Sequence, residues 1–206
     1  MSGTISFNPF LTNQPQDSFL QQTQGYVQGA AYDDPSVRME LMGGYLNSAE
    51  TLVMWGGVPI TEVINVAGSG ADGLGPAIKR ATSQGNTTGF SVYNQANSMV
   101  VTPGQTAPVA AVGGYVAFFR SGSNIRIAVQ ADPALVAAIA GAGDAINSQA
   151  LYWDVAAYRI TLTTTGGNFA LPTSVRLLST NTNSKIVSYN AGAVTWTTGD
   201  AAILLI

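Results

Sequence analysis

The chain contains no cysteine and no histidine. The first absence excludes a disulfide framework, a thiolate nucleophile and a zinc–thiolate site. The second removes the commonest general base, the commonest neutral metal ligand and the middle member of most nucleophilic triads. Charge is scarce as well. Only 9% of the 206 residues are Asp, Glu, Lys or Arg, against about 25% in an ordinary soluble domain. With a net charge of −3 there is no basic field to neutralise phosphates, so nucleic acid is not an expected partner. No apolar run approaches the roughly 18 residues of a membrane span. Met1-Ser2-Gly3-Thr4 opens neither the basic nor the apolar region of a signal peptide. The expectation is a chain made in the cytoplasm, left unprocessed and free of the membrane.

What is present is 46% hydrophobic residues, enough to bury a sizeable core. The surface must then be covered by Ser, Thr, Asn, Gln, Gly and backbone. That composition suits sheet better than exposed helix, and it suits surfaces that end against another protein, because interface cores are depleted in charge.

Residues 1–45 are rich in Gln, Asn, Pro and Gly, with Phe7, Phe10, Phe19, Tyr26 and Tyr32 spaced irregularly among them. No period of 2 or 3.6 is sustained there. The reading is an extended N-terminal arm, with Phe7, Phe10, Phe19 and Tyr26 as candidate interface residues; packing of the segment on its own domain is the alternative. A weaker helix is open over Val37 to Leu46.

Residues 46–206 read as a β-rich domain, with a division open near 102–111, where Pro103, Gly104 and Pro108 mark a loop. Short Val-, Ile-, Thr- and aromatic-rich runs between Gly, Pro and Asn are strand-and-turn signals. They predict strands at Leu52 to Trp55, Ile60 to Val66, Phe90 to Tyr93, Met99 to Val101, Tyr115 to Arg120, Ile125 to Val129, Tyr158 to Thr164, Val175 to Ser179, Lys185 to Tyr189, Val194 to Thr197 and Ala201 to Ile206. Ser121-Gly122-Ser123-Asn124 reads as one hairpin turn and Thr198-Gly199-Asp200 as another. The last strand is apolar on both faces, which predicts burial within a sheet. One segment has helical grammar: Asp132 as N-cap, Pro133 at the first position, and a short Ala-rich stretch to about residue 141, stopped by Gly141 or Gly143. The expected fold class is mainly β, a sandwich or barrel-like architecture with one short helix near 133–141.

The remaining catalytic inventory is carboxylates, two lysines and six arginines. Glu62 and Asp154, each set in an apolar strand, are the best pair for carboxylate chemistry, but buried structural carboxylates are commoner, and the burial of Glu62 stays open. Gly68-Ser69-Gly70-Ala71-Asp72-Gly73 has the spacing of a dinucleotide fingerprint after a strand. Gly75-Pro76 breaks the helix that should follow, and Ser91, Val92 and Tyr93 stand where the ribose-binding acid belongs. A glycine-rich loop is the better account. Asn86-Thr87-Thr88 is a formal glycosylation sequon without a secretory signal. Lys79-Arg80, the one adjacent basic pair, fits an acidic partner surface or solvent, and Asp33-Asp34 supplies too few oxygens for a cation site. No catalytic residue, cofactor or metal is expected.

Several segments are similar to one known family. They are Gly57-Val58-Pro59-Ile60-Thr61-Glu62, Gly75-Pro76-Ala77-Ile78-Lys79-Arg80-Ala81-Thr82, Gly89-Phe90-Ser91-Val92-Tyr93-Asn94-Gln95-Ala96 and Ser123-Asn124-Ile125-Arg126-Ile127-Ala128-Val129. Asp132-Pro133-Ala134-Leu135, Trp153-Asp154 and Val194-Thr195-Trp196 add to them. From about residue 45 onward the chain resembles the structural cement or head decoration proteins of tailed bacteriophages. The resemblance implies a virion protein on the capsid exterior that binds the major capsid protein and clamps neighbouring capsomers. It also implies self-association, with a trimer preferred over a dimer. The rival readings are a β-rich carbohydrate- or receptor-binding fibre module, with Trp55, Trp153 and Trp196 stacking sugars instead of lying in the core, or another virion component such as a tail protein.

Overall fold

A computed structural model describes residues 25–32, 40–64, 75–93, 106–142 and 149–206. The chain is mainly β. Five strands form a closed barrel: β1 (Met42–Leu46), β2 (Pro59–Val63), β3 (Ala77–Arg80), β4 (Gly89–Ser91) and β5 (Tyr115–Arg120), in the order β1-β3-β2-β4-β5. β1 runs parallel to β3 and antiparallel to β5, and Met42 faces Phe118 across the closing seam. Closure leaves the barrel without an edge to protect. Leu46, Ile60, Ile78, Val116 and Phe118 share one face of its strands by register and are fully buried, as is Phe90 on the other face.

The helix open over Val37 to Leu46 does not form across residues 42–46, which are β1. Gly43-Gly44 is the reason. Two glycines disfavour a helix by about 1 kcal/mol each relative to Ala, whereas here they admit close neighbours. A Cβ on Gly43 would lie 1.5 Å from the Tyr115 hydroxyl, and one on Gly44 would lie 2.4 Å from the Pro76 carbonyl oxygen. The strand expected at Leu52 to Trp55 is reduced to a single bridge, Met54 to Ala110. The Leu52 and Val53 carbonyls accept from the Arg80 guanidinium instead of from a neighbouring strand.

A second sheet contains β6 (Arg126–Gln130), β10 (Arg176–Asn190) and β11 (Ala193–Leu205) in the order β10-β11-β6. Two sequence-based turns are corrected here. Thr198-Gly199-Asp200 lies inside β11, so the two C-terminal strands expected there are one. Gly199 serves packing: a Cβ there would lie 2.4 Å from Cδ1 of Ile186. Likewise the two strands expected at 175–179 and 185–189 belong to β10, whose register shifts between Asn181 and Ser184 in a bulge. The actual hairpin turn is Asn190-Ala191-Gly192-Ala193, where Ala191 and Gly192 adopt φ of 47° and 89°, as a two-residue primed turn requires. Ser121-Gly122-Ser123-Asn124 does turn the chain, but β5 pairs inside the barrel while β6 pairs with β11. That loop carries the chain from one sheet to the other and closes no hairpin. The C-terminal run is buried as expected, because β11 is the central strand and Ala201, Ala202 and Leu204 are fully enclosed.

The third sheet is small: β7 (Tyr152–Asp154), β8 (Arg159–Thr161) and β9 (Phe169–Ala170), ordered β8-β7-β9. A parallel bridge from Ala131 to Ile160 ties it to the second sheet. Between them sits α1 (Pro133–Ala142), capped as predicted, with Asp132 Oδ1 accepting from the Ala134 amide at 3.1 Å. Leu135 and Val136 face the protein, and one apolar cluster runs continuously through residues of all three sheets. No helix among the described residues is long and apolar enough to cross a membrane.

Candidate functional site

Of the candidate interface residues, Phe7, Phe10 and Phe19 lie outside the described residues. So do Gly68-Ser69-Gly70-Ala71-Asp72-Gly73, Asp33-Asp34, and the strand expected at Met99 to Val101. Tyr26 is described, and it is engaged. Its amide donates to Ser184 Oγ (3.0 Å), its hydroxyl donates to Ser179 Oγ (2.9 Å), and its ring meets Tyr32 edge-on at 6.0 Å.

Tyr26 belongs to a short segment, residues 25–32, that is laid along both outer strands of the second sheet. On β10, Lys185 N donates to the Tyr26 carbonyl (2.7 Å) and Gln28 N donates to the Lys185 carbonyl (2.9 Å), a parallel bridge at Val27. On β6, Gly29 N donates to the Ala128 carbonyl (2.8 Å), Ala128 N to the Ala30 carbonyl (3.0 Å), and Tyr32 N to the Arg126 carbonyl (2.9 Å). Between the two edges sits Gln28, 1% exposed. Its Oε1 accepts from Val187 N at 2.8 Å, and its Nε2 donates to the Gly56 carbonyl at 3.3 Å. A buried amide so satisfied is a specific joint, since each bond it makes serves a backbone group that has lost water. Gly29 and Gly56 pass so closely that a Cβ on Gly29 would lie 2.5 Å from the Gly56 Cα, and Gly29 holds φ of 80°.

Both carboxylates singled out for chemistry make bonds within the protein. Glu62 receives Arg120 Nε and Nη2 at 2.8 and 2.7 Å, a two-pronged ion pair across the barrel surface. That hydrogen bond, and then the carboxylate's charge, raise the Arg120 pKa above its ordinary value. Asp154 Oδ1 accepts from Ala156 N and Ala157 N, both at 3.0 Å, and so fixes the β7–β8 turn. The Lys79-Arg80 pair also turns inward at Arg80. Its Nη1 meets Glu50 Oε2 at 2.8 Å, and its guanidinium carbon lies 5.1 Å from the Trp55 ring and 5.6 Å from the Tyr158 ring. The side chain expected to meet a partner or solvent therefore meets its own protein. The Asn86 side chain is occupied as well, accepting from Thr82 N and Ser83 N and donating to Thr82 Oγ1. No group of three or more His, Cys, Asp or Glu suited to a metal occurs among the described residues.

Trp153 is 2% exposed and lies in the core. Trp196 is half-buried under the Lys185 ammonium, 5.1 Å from its ring. Trp55, 1% exposed, organises a cluster that no sequence motif announces. Tyr189 stacks on it at 5.8 Å and 20°, Tyr158 meets it edge-on at 5.0 Å and 78°, and the two tyrosines are themselves 6.4 Å apart. These residues come from the loop before β2, the β7–β8 turn and β10, so the junction of all three sheets converges on one indole.

No protein-family model, no curated protein and no solved structure matches the chain.

Proposed function

We propose that the chain is a structural virion protein of the cement or decoration type. It would bind the outer surface of a tailed-phage capsid through the major capsid protein and through copies of itself, and stabilise contacts between capsomers. The observation that carries this reading is the seating of residues 25–32 on both outer strands of the second sheet. Strand addition of an extended segment to a sheet edge joins chains as readily as it joins parts of one chain, because main-chain hydrogen bonds supply the affinity. Gly25, the first described residue, lies at that edge beside Asn183 and Ser184. Two further features support the reading. From Arg176 to Thr180 the outer side of β10 takes no backbone partner from the described residues, and Leu178 on that stretch is 49% exposed. Glu50, Glu62, Asp132 and Asp154 are spent on internal pairs, which lowers the unpaired charge on a surface already poor in it, as burial against protein favours.

The test adds purified chain to expanded capsids that lack it and measures occupancy and resistance to heat. Saturable binding with a raised disruption temperature is expected. Deleting residues 1–24 should lower occupancy while the melting temperature of the free chain stays unchanged, because the anchoring residues 25–32 are kept. Absence of binding to such shells would sink the proposal, and full occupancy by the truncated chain would remove the arm from it.

A further inference from the structure

At the junction organised by Trp55 lies a cavity of about 210 Å³. Its aromatic wall is Trp55, Tyr158 and Tyr189; Gln130, Ser188 and Thr197 complete the rim together with small aliphatic side chains. Three properties of this cavity define what it can hold.

The first is neutrality. No Asp, Glu, Lys or Arg among the described residues lines it, and the nearby Arg80 guanidinium is bound to Glu50 and to the Leu52 and Val53 carbonyls. The second is neutral hydrogen-bonding capacity at the rim: the Gln130 amide and the Ser188 and Thr197 hydroxyls offer both donors and acceptors. The third is a fixed shape. Tyr158 holds φ of 55°, a left-handed conformation unfavourable for a bulky residue. It is kept there by the two amide bonds to Asp154 Oδ1 that close the turn and by packing on Trp55 and Tyr189.

Neutral polar groups set against aromatic rings match a ligand that is apolar on one face and hydroxylated around its edge. We infer that the cavity among Trp55, Tyr158, Tyr189, Gln130 and Ser188 is a binding site for a single neutral sugar ring. Its volume lies below the roughly 300–1,000 Å³ of drug-sized ligand sites, which limits the occupant to one ring, such as the terminal residue of a glycan. Trp55 does not itself stack on the sugar, since Tyr189 and Arg80 already pack against its ring. It positions the two tyrosines that do.

The site is independent of any capsid, so the experiment uses the free full-length chain. Saturation-transfer NMR is recorded with glucose, galactose, N-acetylglucosamine and N-acetylgalactosamine, with Trp fluorescence followed in the same titrations. At least one neutral sugar should bind saturably. Ser188→Ala combined with Gln130→Ala should weaken that binding at least tenfold at an unchanged melting temperature. Tyr158→Gly, which tolerates the same backbone conformation, should abolish it. No saturable binding of any neutral sugar overturns the inference. Binding that survives all three substitutions, or that is confined to acidic sugars, overturns it equally. Loss of capsid binding in the earlier test would leave these outcomes untouched.

Discussion

The barrel and the second sheet solve the same problem in opposite ways. In the barrel every strand has two neighbours, so its backbone groups are satisfied by closure and its core residues decide its stability. The second sheet stays open, and its outer strands are covered by a segment that precedes the barrel in sequence, with Gln28 pinned between them. Closure makes a region indifferent to what lies outside it, whereas an open sheet depends on what is laid on its edges. The same contrast divides the charges. The barrel spends Glu62 and Arg120 on one another across its surface, while the contacts of segment 25–32 with the open sheet are almost wholly neutral hydrogen bonds.

If closure is what stabilises the barrel, its interior is where the largest effect lies. Phe118 is fully buried in β5 opposite Met42, on the seam where the sheet closes. Phe118→Ala should cost about 3–5 kcal/mol, the range for a large buried aromatic, read as a lowered urea midpoint at constant slope. A loss below about 1 kcal/mol would mean that the seam relaxes around the cavity, and the contrast with the open sheet would fail.

Gln28→Leu tests the other half. It leaves Val187 N and the Gly56 carbonyl without their side-chain partner in a buried place, which should cost about 1–3 kcal/mol. The distribution of that loss matters more than its size. Hydrogen exchange should quicken at Val187 and at the amides bridged to residues 27–30, while the barrel amides of β4 and β5 keep their protection. Uniform loss of protection would show that the segment is part of one cooperative unit with the barrel.

The two regions were also unequally legible in the sequence. β5 was read with both ends correct, because Tyr115 to Arg120 is a continuous apolar run between turn residues, and α1 because Asp132-Pro133 is a local cap signal. The long strands of the second sheet were broken into pieces. Gly199 and the polar stretch from Asn181 to Ser184 look like turns, and only the Ile186 side chain reaching over Gly199 and the bulge facing β11 explain why they are strand. β3 was missed because Lys79-Arg80 masks its apolar half, although Ala77 and Ile78 are buried. Gln28 could not be singled out among the glutamines around it, since its role is set by backbone atoms far along the chain. The junction at Trp55 was half legible: the tryptophan was expected in the core, but its partners Arg80, Tyr158 and Tyr189 are brought to it only by the meeting of three sheets.

The smallest expected effect lies at the seam between the two regions and depends on pH. Tyr93 follows β4, and its amide donates to the Gly29 carbonyl at 2.7 Å, so it links the barrel to segment 25–32. Burial raises its phenol pKa above the ordinary value. A pKa raised in the folded state means that the folded chain holds this proton more tightly than the unfolded chain does. The corresponding stability is therefore fully present below the unfolded pKa of about 10 and is lost as pH climbs through the raised folded value. Tyr93→Phe keeps the ring and removes the titration. Between neutral pH and about pH 9 the two proteins should show the same pH dependence, and above about pH 10 the wild type should lose melting temperature more steeply than the variant. The other tyrosines and lysines are common to both and drop out of the difference. Parallel alkaline limbs would show that Tyr93 is as free of desolvation as a surface phenol, and that the seam between the closed and the open region is wetter than its packing implies.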